Sequence, residues 1–315
     1  MSIIPRVQDL GGVLLLDTVH QGMAGTVGVY LLPLEGGAFA LVETGPGSTC
    51  GNLVESIAGT GFDLAALEHI LLTHIHLDHA GAAGELARRS GALVHVHHRG
   101  APHLADPSRL IESARRIYGE RMDELWGTME PIPKEQLRPL YDGDRVRLPG
   151  HRVEALETPG HAGHHAAYLL NDATLFTGDA AGVRFPPAEL IRPALPPPET
   201  DLEVWEASLA KMRACVPDRL LLTHFGEVQA ADEHLAALPQ RNQAWAEEVR
   251  KGMLAGEELP QLEDRIAELA EREFREAGLD EEVAGRHRVT SDAAMTAMGL
   301  QRYWRKKHPE AVPAS

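Results

Sequence analysis

The sequence predicts an α/β fold in which two strand-rich halves pack sheet on sheet, followed by a helical region. Three observations predict it. Aliphatic runs of strand length alternate with helical stretches between residues 12 and 98. Strand-like runs return between 138 and 224, and beyond 229 every segment has helical character. The boundaries that follow are 1–228 for a strand-bearing domain and 229–315 for a helical region packed on it.

Each element has a local reason. The runs GVLLLDTV (12–19), VGVYLLPL (27–34) and AFALVETG (38–45) are rich in aliphatic residues, and EGG (35–37) supplies the turn between the last two. CGNLVESIAGTG (50–61) reads as a helix closed by glycines. HILLTH (69–74) is a strand, AGAAGELARRSG (80–91) a helix ending at Gly91, and ALVHVHH (92–98) another strand. Residues 99–135 read as amphipathic helix, with a start at Asp106-Pro107-Ser108. Strands resume with RPLYDGDRVRL, HRVEALET, HAAYLLND and ATLFTGDA. The proline-rich segment 185–200 is too stiff and donor-poor for regular structure and reads as a surface loop. A helix over about 200–214 and the strand RLLLTH (219–224) complete the domain, and EDRIAELAEREFREAGL (263–279) is an amphipathic helix of the tail.

Composition narrows the functions. With 43% hydrophobic and 24% charged residues among 315, the chain supports a folded core. Its formal charge of −16 is the wrong sign for a nucleic-acid surface. The basic stretch RYWRKKH (302–308) reads as the solvated end of a helix. Cys50 and Cys215 lie far apart, so no disulfide framework is expected and a reducing compartment is. MSIIPRVQDL has no apolar run after a basic start, so no secretory leader is expected. No stretch approaches the roughly 20 apolar residues that span a bilayer. A cytoplasmic location is the expectation, with a small molecule as the partner and neither nucleic acid nor membrane.

The stretch LLTHIHLDHAG (71–81) carries the chemistry. His74, His76, Asp78 and His79 fall within six positions after an apolar run. Residues i and i+2 share a strand face, so His74 and His76 can grip one cation. Asp78 and His79 come where the chain turns into a helix, and Asp78 is a good cap there. Two directions of projection suggest two adjacent cations, and imidazole with carboxylate suits zinc, iron or manganese. Further ligand-type residues end other strands: His161 in ETPGHAGHH (157–165), Asp179 in LFTGDAAG (175–182) and His224 in LLLTHFGE (220–227). The pair His95 and His97 of HVHH also shares a face, but no carboxylate stands nearby in sequence, so a structural role or a supporting role behind the metal ligands is expected.

His-x-His-x-Asp-His, a distant His, the Asp of TGD and a final His in TH together resemble the metallo-β-lactamase superfamily. The resemblance covers about residues 12–228. It implies an αββα sandwich of two mixed sheets flanked by helices, with the metals at one edge and a C-terminal helical extension beyond. It implies that His74, His76 and His161 bind a first ion, that Asp78, His79 and His224 bind a second, and that Asp179 bridges them. THIHLDHAG, ETPGHAGHH and the helical tail resemble the glyoxalase II-like branch, and within it a group of prokaryotic hydrolases. Many members carry Asp where this chain has Glu43 of ETGPG, a residue that serves near the metals without binding them. His164 and His165 follow a ligand and are candidates to face the substrate or the attacking water. Tyr118 and Arg184 lie in segments that wall the cleft, against the plainer reading of a packing tyrosine and a surface arginine.

The leading expectation is a dinuclear hydrolase of a small ester, thioester or lactone. Two divalent ions, zinc first and iron or manganese next, would share a hydroxide, with Asp78 orienting it and accepting its proton. No G-x-S-x-G elbow or supported Cys/His pair offers a side-chain nucleophile. The alternative is a mononuclear-iron oxygenase of the persulfide dioxygenase type. A nuclease fits poorly with the charge. A non-catalytic binding protein should have lost ligands, and none is missing. The tail has two expected roles, capping the cleft or forming a homodimer interface.

Overall fold

Aliphatic runs of three to seven residues build two mixed β-sheets. The computed structural model describes residues 6–313, so the first five residues of the MSIIPRVQDL segment lie outside it. The chain forms two compact units. One comprises Met1–Glu157, His164–Gly178 and Pro217–Gln229; the other comprises Thr158–Gly163, Asp179–Val216 and Ala230–Ser315.

The first unit holds both sheets. Sheet one runs in the order β1 (Val7–Asp9), β2 (Leu14–Asp17), β3 (Gly28–Pro33), β4 (Phe39–Val42), β5 (Leu67–Leu72), β6 (Leu93–His97) and β7 (Leu137–Leu140). Its first three pairings are antiparallel and its last three parallel. The parallel crossovers carry helices α1 (Cys50–Gly59), α2 (Leu77–Ala80), α3 (Ala83–Ser90), α4 (Ala101–Ala105), α5 (Ser108–Tyr118) and α6 (Met122–Trp126). Leu53 and Ile57 of α1 and Leu86 of α3 pack with Leu41, Ile70 and Val94 of the strands in one buried cluster. Sheet two comprises β8 (Arg145–Leu148), β9 (His151–Glu157), β10 (Ala166–Leu170), β11 (Thr174–Gly178), β12 (Arg219–Leu222) and β13 (Gly226–Val228). Tyrosines tie the sheets face to face. The Tyr168 hydroxyl donates to the Leu72 carbonyl at 2.7 Å, and the Tyr30 and Phe176 rings meet at 5.3 Å.

The expected sandwich of two mixed sheets with flanking helices is the fold observed, with three differences in detail. The strand beginning the second half, β7, pairs with β6 and belongs to the first sheet. Residues 99–135 form three short helices, because Gly119 and Gly127 take left-handed backbone at φ 55 and 65 and stop α5 and α6. The α5 start is as expected: the Asp106 carboxylate accepts from the Ser108 backbone N–H at 3.1 Å and its hydroxyl at 2.6 Å. The strands β1 and β13 are new.

The second unit is helical, with α7 (Leu202–Ala214), α8 (Ala231–Leu254), α9 (Leu259–Glu276), α10 (Glu281–Thr290) and α11 (Ala293–Lys307). Asp201, Asp280 and Asp292 cap α7, α10 and α11 by accepting from the N–H three residues on. Leu262, Ile266, Leu269, Ala270 and Phe274 form the buried stripe of α9. The 185–200 segment contains no helix or strand, as expected, but it is not a surface loop: Phe185, Leu190, Arg192, Ala194 and Leu195 are buried, because its apolar side chains pack inward. The basic RYWRKKH stretch forms the last turns of α11, where Lys307 pairs with Asp201. No helix among the described residues is long and apolar enough to cross a membrane.

Candidate metal centre

In the first unit, the ends of β4, β5 and β12 deliver the ligand-type residues. Beyond β5 the chain runs through Thr73 and His74 to His76, which begins α2. The His74 and His76 rings lie 4.4 Å apart, with His74 Nε2 2.9 Å from His76 Nδ1. Asp78 sits inside the first turn of α2, two positions past the cap, and not at the cap expected of it; the cap position belongs to His76, and no side-chain cap bond forms there. The Asp78 carboxylate is turned instead toward histidines: its Oδ2 lies 3.7 Å from His79 Nε2 and 3.4 Å from His224 Nε2. Donor atoms of Asp78, His79 and His224 all lie within 4.8 Å of one another, as do those of Glu43, His74 and His79.

Glu43 follows β4 at φ 69 and is fully buried. Its Oε1 accepts from His79 Nδ1 at 2.9 Å, from the Thr223 hydroxyl at 3.2 Å and from the Thr73 hydroxyl; its Oε2 accepts from the Thr73 N–H at 3.2 Å. It therefore orients His79 and is occupied in doing so. Gly178, at φ 49, packs on the same residues: a side-chain carbon there would lie 2.4 Å from Thr73 Oγ1 and 2.7 Å from His165 Nε2. His165 is fully buried, with its ring 4.9 Å from that of His74. His164 stacks near His74 at 6.2 Å and crosses His76 at 5.6 Å.

In the second unit, His161 and Asp179 come together, with Nε2 3.3 Å from Oδ2. Gly160 makes this turn possible. Its φ is 135, and a side-chain carbon would lie 2.3 Å from Trp205 Cβ. Arg184, part-buried, pairs with the exposed Glu189 at 3.0 Å.

The hydrogen bonds set which ring nitrogen of four histidines carries the hydrogen. His224 Nδ1 donates to the Thr26 carbonyl at 2.7 Å and His161 Nδ1 to the Ala194 carbonyl at 2.8 Å. His79 Nδ1 donates to Glu43, and His74 Nδ1 to Thr73 Oγ1 at 3.0 Å, since that hydroxyl spends its own hydrogen on Glu43. In the neutral ring Nε2 is then a lone pair. For His79, His161 and His224 it faces a carboxylate oxygen across 3.3 to 3.7 Å. Two electron-rich atoms so placed repel, and a cation between them turns repulsion into coordination. Anchoring Nδ1 to an oxygen is also how metal-binding imidazoles are held. The residues present fit divalent ions.

A second histidine cluster gives the contrast. His97 Nε2 and His98 Nδ1 lie 3.2 and 3.4 Å from Glu157 Oε1. Here Nδ1 of His97 accepts from the Arg99 backbone N–H at 3.1 Å, so Nε2 carries the hydrogen and donates it to Glu157. Both ring nitrogens of His97 are therefore engaged. Burial, then the charges of His98, His164 and Arg99, push His97 down to about 4. His95 pairs with His69 at 3.0 Å, and burial pushes it down to about 3. No carboxylate stands near HVHH in sequence, but folding brings Glu157 to His97 and His98.

One histidine near the centre escaped the sequence reading. His20 follows β2 and is near enough to Asp78 and His224 for their charges to act on it; burial holds it below its usual range. Its ring stacks on Trp126 at 5.2 Å, and Trp126 meets Tyr118 edge-on at 5.1 Å. The signal was present, because a His just past a strand end is also the pattern of His74 and His224.

Comparison with known proteins agrees with this chemistry. The sequence profile of the metallo-beta-lactamase superfamily matches residues 10–224. The chain therefore belongs to the metallo-beta-lactamase superfamily, and at that level it is a metal-dependent hydrolase whose His and Asp clusters are of the kind that hold metal. It is 31% identical over 222 residues to the metallo-beta-lactamase fold-containing protein ST1585 of Sulfurisphaera tokodaii, covering 69% of this chain and 83% of the relative. It is 31% identical over 148 residues to a hydroxyacylglutathione hydrolase of Acidiphilium cryptum, covering 47% of this chain and 46% of that enzyme. Among solved structures, the metallo-beta-lactamase family protein TTHA1429 of Thermus thermophilus superposes with a TM-score of 0.68 at 26% identity, covering 95% of this chain and 94% of that one.

Proposed function

We propose that the protein is a dinuclear, zinc-dependent hydrolase of a small ester, thioester or lactone, of the glyoxalase II-like branch. One observation carries the reading. His79, His161 and His224 each have Nδ1 tied to an oxygen and Nε2 turned toward a carboxylate oxygen, the arrangement of a metal-binding imidazole. In this reading His74, His76 and His161 hold one ion, Asp78, His79 and His224 the other, and Asp179 serves both. The hydroxyacylglutathione hydrolase likeness supports a thioester or ester, and this chain spans less than half of that enzyme.

Bound divalent ions would supply a Lewis acid and a water acidified toward neutral pH. The chain supplies orientation. Glu43 and the Thr26 and Ala194 carbonyls fix ring direction, and Asp78 would orient the attacking water and accept its proton.

Elemental analysis of the purified protein, paired with a screen of thioesters, lactones and esters, tests this. About two zinc ions per chain and turnover of one class are expected, with Asp78→Asn folding normally and losing most of that turnover. One iron per chain, with oxygen uptake on a persulfide, would replace the reading by the oxygenase alternative.

A further inference from the structure

His20, on the loop after β2, and Trp126, at the end of α6, form a pair of rings that the hydrolytic reading does not use. His20 lies between Val19 and Gln21, both at φ 54. A β-branched residue rarely adopts that left-handed conformation, so the loop holds strain around this one side chain. His20 is only 2% exposed. Its ring stacks on Trp126 with 24° between the planes. The Gln21 side-chain amide nitrogen lies 3.2 Å from His20 Nε2. An amide nitrogen only donates, so Nε2 accepts and Nδ1 carries the hydrogen. Neither His20 Nδ1 nor Trp126 Nε1 meets a hydrogen-bond partner among the described residues, although both atoms are buried. Buried N–H groups are nearly always satisfied, and two unsatisfied ones in a single ring stack are an exception that asks for an acceptor. The stack stands in the same unit as Asp78 and His224, within range of their charges.

We propose that His20 Nδ1 and Trp126 Nε1 are binding donors for an oxygen of the substrate other than its scissile acyl group. The protein then favours acyl compounds carrying a second acceptor oxygen, such as an ether or carbonyl oxygen, over their hydrocarbon counterparts. Neutral N–H donors disfavour two ligand classes. They repel a cation, and a hydrocarbon group set against them leaves their hydrogens unpaired. A site built to hydrogen-bond an oxygen discriminates strongly against the analogue lacking it. The word substrate rests on the hydrolase reading; the binding claim does not.

The test reads binding. The chain has four tryptophans, so indole-15N-labelled protein, as purified, gives four side-chain N–H resonances at most, and Trp126→Phe identifies one of them. Methoxyacetate and butanoate are the probes, differing by one oxygen in place of a methylene. The Trp126 resonance should move downfield, saturably, with methoxyacetate and stay with butanoate. Trp126→Phe and His20→Phe keep the rings and remove the donors. Each should weaken methoxyacetate about fivefold relative to butanoate, the worth of one hydrogen bond. A Trp126 resonance that stays put with both acids leaves these donors to water alone and overturns the proposal. So does an equal loss of both acids in the variants. Turnover enters neither outcome, so a protein that cleaves no ester can still meet the expectation, and an active hydrolase can fail it.

Discussion

Glu43 accepts four hydrogen bonds, from the Thr73 N–H, the Thr73 and Thr223 hydroxyls and His79 Nδ1. Only an ionised carboxylate is an acceptor on every side. Glu43→Gln therefore turns one acceptor into an NH2 group that meets a donor head-on. The expected result is about 2 kcal/mol of lost stability and metal held about tenfold or more weakly, because His79 is no longer locked. Equilibrium dialysis against a zinc buffer with urea unfolding alongside measures both; unchanged zinc retention would show that Glu43 does not set His79. This scale was half legible in the sequence. The ligand-type residues stood out because His and Asp are rare at strand ends. The acceptors that choose their tautomers did not, since Glu43 is 36 positions from His79 and Thr26 is 198 from His224. Only folding brings such partners together.

At the scale of the element, α10 carries His287 fully buried, between Phe185 at 4.8 Å and Phe274 at 5.5 Å. The Arg192 guanidinium lies over the Trp245 and Phe274 rings at 4.4 and 4.9 Å. Burial first, and the Arg192 charge second, push His287 from 6.5 down to about 3. The sign follows from proton binding. Below its ordinary value the unfolded chain takes up a proton that folded His287 refuses, so stability falls as pH drops from 6.5 toward 3. That one group accounts for about 2 kcal/mol lost between pH 7 and pH 5. His287→Leu leaves no partner unsatisfied, because neither ring nitrogen has one among the described residues. Urea unfolding at the two pH values should show the loss shrink by about 2 kcal/mol in the variant, and identical losses would contradict the buried, neutral assignment. Elements of this length were readable where periodicity had room. The stripe of α9 declares itself over 18 residues, whereas the strands β1 and β13 span three each and carry too little pattern. The sheet to which β7 belongs is a pairing choice, made by β6 and not by the composition of residues 137–140.

At the scale of the whole molecule, a formal charge of −16 and histidines and carboxylates gathered at strand ends predict that cations add to stability. The sandwich was legible because aliphatic strand runs and glycine turns repeat along the chain. The interleaving of the two units was not, because Thr158–Gly163 and Asp179–Val216 look locally like any other loop and helix. Two effects of metal then have to be separated. Any divalent ion screens an acidic surface weakly and without choice. An ion seated between Asp78 Oδ2 and the Nε2 atoms of His79 and His224 stabilises through binding, by about 4 kcal/mol at a thousand times its dissociation constant. For a unit of this size that is about 10 °C in Tm. Dialysis against a chelator should lower the Tm by about that amount. Zinc at one or two equivalents should restore it, and magnesium at equal ionic strength should not. Recovery with magnesium would reduce the effect to surface screening. Recovery with ferrous iron and not with zinc would turn the centre toward oxygen chemistry. A Tm that ignores the chelator, in protein shown by elemental analysis to have lost its metal, would mean that the histidine tautomers are held by the fold alone.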